Sequence, residues 1–232
     1  YSRAFCCCAF ESATNKIGGC HHIGSSPNPT LQVHMRDSKT GKLMENLALA
    51  ERKQLPDALR VLLKDYPRAA WQDDPGFEGL VRFWLERHLM FRRIMAEMRA
   101  GTEDLLDRNK SKESYVAMVS RYGGLFVTGL HEHHTIEDTV YFPKLATKDG
   151  RITRGFEILD KDHHDIDGIL AGFVDSGNAV IHSSDDRDAL QSMAGRFQAE
   201  LLKMETLLDR HLTDEEELIV PVILRYGVPD VG

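Results

Sequence analysis

Two stretches hold residues that can do chemistry together, His131 to Leu145 (HEHHTIEDTVYFPKL) and His211 to Val222 (HLTDEEELIVPV). Each contains His-x-x-x-Glu, as His133 with Glu137 and His211 with Glu215, and each has a proline six residues after the glutamate. Residues four apart stack on one face of a helix, so each pair offers an imidazole nitrogen and a carboxylate to the same point. That is half of a metal site, made twice.

The faces on which these pairs fall decide whether they are functional. Stepping by three and four along the second copy gives Leu190, Met193, Phe197, Leu201, Met204, Leu208, His211, Glu215, Leu218 and Val222, an apolar stripe broken only by the pair. Val116, Val119, Phe126, Leu130, His133, Glu137 and Val140 form the corresponding stripe of the first copy. Both pairs therefore point into a core. An ionised carboxylate there costs several kcal/mol unless it is paired or bound to a cation, and two of them beside two histidines argue for a cation.

The elements that must position these groups are helices. A long helix after the loop Asp73 to Gly76 carries Val81, Trp84, His88, Phe91, Met95 and Met98 inward. The next starts near Ser111, a good N-cap, and runs to about Leu145, with Pro143 kinking or shortening its end. The third carries Ile152, Phe156, Leu159, His163, Ile166, Leu170 and Phe173 on one stripe, and Ser183 to Asp186 offer caps for the fourth, which ends before Gly227. No alternating strand pattern is present. The expected fold class is all-α, an antiparallel up-down four-helix bundle over 76–227. A short extra N-terminal helix, opened by Leu55-Pro56-Asp57 and closed by Pro67, lies with its loop in 43–75. Residues 1–42 are expected to be a disordered tail or extraneous to the fold.

The helices repeat in pairs, each half supplying one histidine and then His-x-x-x-Glu. Antiparallel packing with pseudo-twofold symmetry would bring His88, His133, Glu137, His163, His211 and Glu215 into one layer. Four imidazoles and two carboxylates exceed the needs of one tetrahedral zinc and suit two iron or manganese ions bridged by the glutamates.

HHTIEDTVYFPKL and HLTDEEELIVPVI, preceded in the two halves by ERH and KDHH, resemble the hemerythrin family's HHE cation-binding domain over roughly Gly79 to Tyr226. The resemblance implies a bundle with two iron ions, oxo- or hydroxo-bridged, in which Glu137 and Glu215 bridge and the four histidines are terminal ligands; manganese or zinc ranks below iron. Oxygen-carrying hemerythrins have His-x-x-x-His on the third helix, whereas His163 is followed at that spacing by Asp167. Asp167 is thus a candidate ligand, an acceptor for a ligand N–H, or a solvated acid. The carriers' last acid stands five residues after its histidine, at Glu216 here, but Glu215 keeps the core phase and is preferred. A site with fewer histidines and more carboxylates favours the ferric state, which puts reversible oxygen carriage in doubt.

The remaining histidines have plainer readings. His134 lies about 100° around the helix from His133 and does not share its direction, so it is left out of the ligand set although the stripe's edge could bring it to the metal layer, whereas His131 is expected to face solvent. His164 belongs to an outer layer or the surface, and His182 to a helix end. His131-Glu132 fails as a zinc-protease motif because Thr135 stands where the second histidine is needed. Asp214 to Glu217 reads as a solvated face apart from Glu215, and Arg92 has no assigned role.

Composition limits the alternatives. A net charge of -7 offers no footprint for nucleic acid or an anionic membrane, and no apolar run is long enough to span a bilayer. The four cysteines, Cys6, Cys7, Cys8 and Cys20, are confined to the start of the chain and make a disulfide framework implausible, so a cytoplasmic location is expected. The expected function is to bind or sense a small diatomic ligand or peroxide, with a redox partner or a homodimer as further partners. A di-iron enzyme turning over peroxide or nitric oxide is the alternative, followed by iron storage or donation to iron-sulfur cluster repair.

Overall fold

The computed structural model describes residues 47–183 and 186–228, and the N-terminal cysteines and the expectations for 1–42 lie outside them. Four long helices dominate: α1 (Leu80–Leu106), α2 (Lys112–Ile136), α3 (Thr153–Ile181) and α4 (Arg187–Tyr226). No strand occurs among the described residues. Each helix packs on two neighbours, α1 on α2 and α4, and α3 on α2 and α4, which with short connections makes the up-down bundle.

The helix ends follow from local chemistry. Ser111 caps α2 by accepting from the Ser114 N–H at 3.3 Å, and Asp186 caps α4 by accepting from the N–H groups of Asp188 and Ala189. Gly227 ends α4 at φ 80°, a conformation glycine takes without steric cost. Helix α2 does not stop at Ile136. It widens into one turn of π-helix, Glu137–Tyr141, and resumes as Phe142–Leu145 with Pro143 in the first turn, where a missing N–H costs nothing.

The extra N-terminal helix takes the form of two 3₁₀ turns, Val61–Lys64 and Arg68–Asp73, rather than one α-helical segment. Leu62 and Trp71 anchor them in the bundle.

The apolar core divides into two clusters. One contains Phe91, Met95, Phe126, Phe173, Phe197 and Leu208, and the other contains Trp84, Phe142, Phe156, Leu159, Leu218 and Val222. Along every helix the chemistry-bearing residues fall between the two: His88 between Trp84 and Phe91, His163 between Leu159 and Ile166, His211 between Leu208 and Leu218. A polar layer is sealed at both ends by hydrocarbon. No helix among the described residues is long and apolar enough to cross a membrane.

Candidate metal centre

The layer contains two groups of donors, each with its ligand atoms within 4.8 Å of one another. His88, His133, Glu137 and Glu215 form the first, and His134, His163 and His211 the second. The two carboxylates connect them. Glu137 turns Oε1 to His133 Nε2 at 2.9 Å and Oε2 to His163 Nε2 at 3.5 Å. Glu215 turns Oε1 to His88 Nε2 and Oε2 to His211 Nε2, both at 3.5 Å.

This arrangement follows from helix phase. At about 100° per residue, Glu137 points some 40° from His133 and 60° from His134, between the two. Consecutive histidines thus straddle the carboxylate and serve different groups, which is how His134 enters. Its ring lies flat on that of His163, with centroids 3.9 Å apart.

Three imidazoles are held from behind. His88 Nδ1 meets Glu216 Oε1 at 3.0 Å, His163 Nδ1 meets Asp138 Oδ1 at 2.7 Å, and His211 Nδ1 meets Asp162 Oδ2 at 3.4 Å. Burial works to raise Glu216, but His88 and Arg92 more than reverse it and hold the carboxyl down at about 2. Burial likewise opposes ionisation of Asp162, and the Arg52 hydrogen bonds prevail. An ionised carboxylate only accepts, so Nδ1 of His88 and of His211 carries a proton, and both Nε2 atoms face inward.

What faces those Nε2 atoms is the test of a cation. His88 Nε2 and His133 Nε2 are 3.0 Å apart. Both oxygens of Glu137, whose Oε1 approaches His133 Nε2 without hydrogen-bond geometry, both nitrogens of His134, and His163 Nε2, His211 Nε2 and Glu215 Oε2 are buried without a hydrogen-bond partner. At about 1–3 kcal/mol each, those orphans would cost on the order of 10 kcal/mol, comparable to the stability of a whole domain. Cations resolve nearly all of this: apart from the one His134 nitrogen that keeps its proton, the orphans are donors of electron pairs, of the types iron, zinc and manganese accept.

The structure revises several expectations. Asp167 is exposed and belongs to neither group, and the acceptors behind the imidazoles are Asp138, Asp162 and Glu216. From His163, a step of four residues turns about 40° toward α3's outer side, while His134 from α2 fills the second group. The run Asp214 to Glu217 is not a solvated face: Asp214 and Glu216 are buried. Arg92 donates to Glu216 at 2.7 Å. His131, His164 and His182 are exposed, as their phase predicts.

The two carboxyls differ. Burial, then the neighbouring charge of Glu215, raises Glu137 well above its ordinary value. Burial also works to raise Glu215, but His88 overrides it and holds Glu215 well below. Among the imidazoles, burial lowers His133 to about 3, and lowers His134 and His211 as well. For the metal-free protein the sign follows group by group. An unfolded histidine titrates near 6.5, so between pH 6.5 and about 3 the unfolded chain binds more protons. Stability from these three is complete above 6.5 and is lost as pH falls through that window. His88 has the opposite sign: burial lowers it, but Glu215 and Glu216 outweigh burial and raise it. The three lowered histidines are expected to make metal-free protein less stable as pH falls from 6.5 toward 3, read as a falling midpoint in thermal melts, with the raised His88 and Glu137 working against them. Imidazole titrations of His133, His134 and His211 near 6.5 would contradict this burial of neutral histidines.

One pocket reaches the layer from outside. About 240 Å³ in volume, it is lined by Leu80, Phe83, Trp84, Arg87, Gly129, Ile136 and Tyr141 and ends on His133 and Glu137. His133 is correspondingly the most exposed donor, at 9%. A larger groove of about 680 Å³ beside Arg92 and Asp209 reaches none of the donors.

A family model described as Hemerythrin HHE cation binding domain matches residues 79–223, well over half of the chain and all of the donors above. Comparison with curated proteins and with solved structures returns no match.

Proposed function

The chain belongs to the hemerythrin HHE cation-binding family, and on that premise we propose that it is a non-haem di-iron protein that binds or senses a small oxidising ligand. The observation that carries this reading is the pair of buried carboxylates, each with one oxygen toward each donor group. Glu137 and Glu215 would hold both ions, His88 and His133 the first, and His134, His163 and His211 the second. Five imidazoles with two carboxylates suit iron better than manganese, which favours oxygen donors, or zinc, which favours four. When bound, the ions supply redox electrons and a Lewis-acidic position for an exogenous ligand.

The chain's own residues determine which ligand arrives. The first group offers four donors and the second five, so an ion preferring six has more room for an outside ligand at the first. The pocket opens there. Its lining is mostly apolar, with Arg87 and Glu132 as its charged members, and its volume admits oxygen, nitric oxide or peroxide rather than a large organic substrate. With His134 brought in and Asp167 left out, the expectation of a carboxylate-rich site hostile to reversible oxygen binding loses its premise.

Filling the pocket tests this. An added Cβ at Gly129 already meets Phe91 Cε1 at 3.4 Å, so a longer side chain must turn into the cavity. Gly129→Leu is expected to slow nitric oxide association severalfold in stopped flow while leaving iron content unchanged. Unaltered association with the pocket filled would sink this entry route, and sustained peroxide consumption by the wild type would favour an enzyme instead.

A further inference from the structure

Residues 47–78 precede the family-matched region, yet they reach its innermost polar layer. Arg52, 3% exposed, lies between α3 and α4. Its Nη1 donates to Asp162 Oδ1 at 2.8 Å and its Nη2 to Asp162 Oδ2, while Nε donates to Asp214 Oδ2 at 2.8 Å. Asp214 uses its other oxygen to accept the Leu55 N–H at 2.7 Å, so the same acid fixes the guanidinium and the backbone that carries it. Farther along, Arg68 Nη1 donates to Glu216 Oε2 at 2.8 Å, the carboxylate that meets His88 Nδ1 through its other oxygen.

We propose that Arg52 and Arg68 are positioning residues of the metal centre, setting Asp162 and Glu216 and through them the imidazoles of His211 and His88. The proposal rests on the metal-centre reading. Its geometry distinguishes it from simple packing of an appendage. Of the three carboxylates that these arginines grip, two back donor histidines, Glu216 behind His88 of the first group and Asp162 behind His211 of the second. A planar fork meeting a carboxylate through two N–H bonds fixes its orientation as a point charge cannot. The shared acceptor then draws less strongly on the imidazole N–H than a carboxylate facing it alone, which tunes the donor strength of Nε2. Undocking the segment would leave both donor groups with changed backing at once.

Arg60 supplies the control. It pairs with Asp57 and Glu217, neither of which meets a donor histidine, so it holds the same segment without touching the layer. Arg52→Met, Arg52→Lys, Arg68→Met and Arg60→Met are compared as full-length proteins by two readouts. In imidazole ¹⁵N spectra of metal-free protein, Arg52→Met is expected to change the Nδ1 protonation signature of His211, and Arg68→Met that of His88, with Arg60→Met like wild type. In iron-loaded protein, Arg52→Met is expected to release iron to a chelator about tenfold faster or more, with Arg52→Lys intermediate and Arg68→Met smaller in the same direction. Should Arg52→Met fail to fold, Arg52→Lys and Arg68→Met, whose arginine side chain is 47% exposed, carry the comparison. Imidazole spectra and release rates of these variants indistinguishable from those of Arg60→Met would overturn the proposal. Wild-type protein that takes up no iron would overturn the metal-centre reading alone, since the imidazole spectra still decide the arginines' role.

Discussion

Glu215→Ala is expected to reduce the protein from about two ions per chain to well below one, because the substitution removes a donor from both groups. No neighbouring acid can stand in: Glu216 points away toward His88 Nδ1, Arg68 and Arg92. The stability consequence depends on the metal. An ion present at a thousand times its dissociation constant stabilises the folded state by about 4 kcal/mol, worth roughly 10 °C in a domain of this size. Wild type should show that rise on loading, and the variant should show almost none. Metal-free, the difference between them should shrink, since the alanine also removes the charge that raises Glu137. Full occupancy in Glu215→Ala, measured by elemental analysis, would refute the bridging role.

The second large effect is a contrast between two neighbours of the site. His134→Ala removes one of three imidazoles from the second group and should lower the content from about two ions toward one. Asp167→Ala should leave both ions in place, because Asp167 is exposed and outside both groups. Elemental analysis of the two variants side by side decides it. The reverse pattern would mean that α3 supplies its second donor to the centre after all.

These two residues also mark where the sequence stops being informative. Six donors, His88, His133, Glu137, His163, His211 and Glu215, interrupt apolar stripes at helical spacing, so their approach to one layer is legible from periodicity alone. His134 is harder to read because apolar periodicity gives each helix a single inward direction. A centre with two donor groups is wide enough to accept two directions, and Glu137, lying between His133 and His134 in phase, is the signal that allowed for it. Asp167 lies exposed and outside both groups, and the phase of its own helix does not report that a neighbouring helix already fills the space beside His163.

The burial of the acid run after His211 is hidden from helical phase for a different reason. Its burial comes from a segment some 150 residues earlier, whose Arg52, Arg60 and Arg68 cover Asp214, Glu216 and Glu217. Helical phase cannot report a cover supplied by irregular chain. An arginine at intervals of eight in 52–68 facing an acidic run was available as a charge pattern, and only the fold shows that they meet.

The central claim is tested most directly by metal content per chain, with optical spectra of the oxidised, reduced and re-aerated protein. About two irons, with near-ultraviolet charge-transfer bands that bleach on reduction, is the predicted result. One zinc, or no metal in protein produced with ample iron, would contradict it.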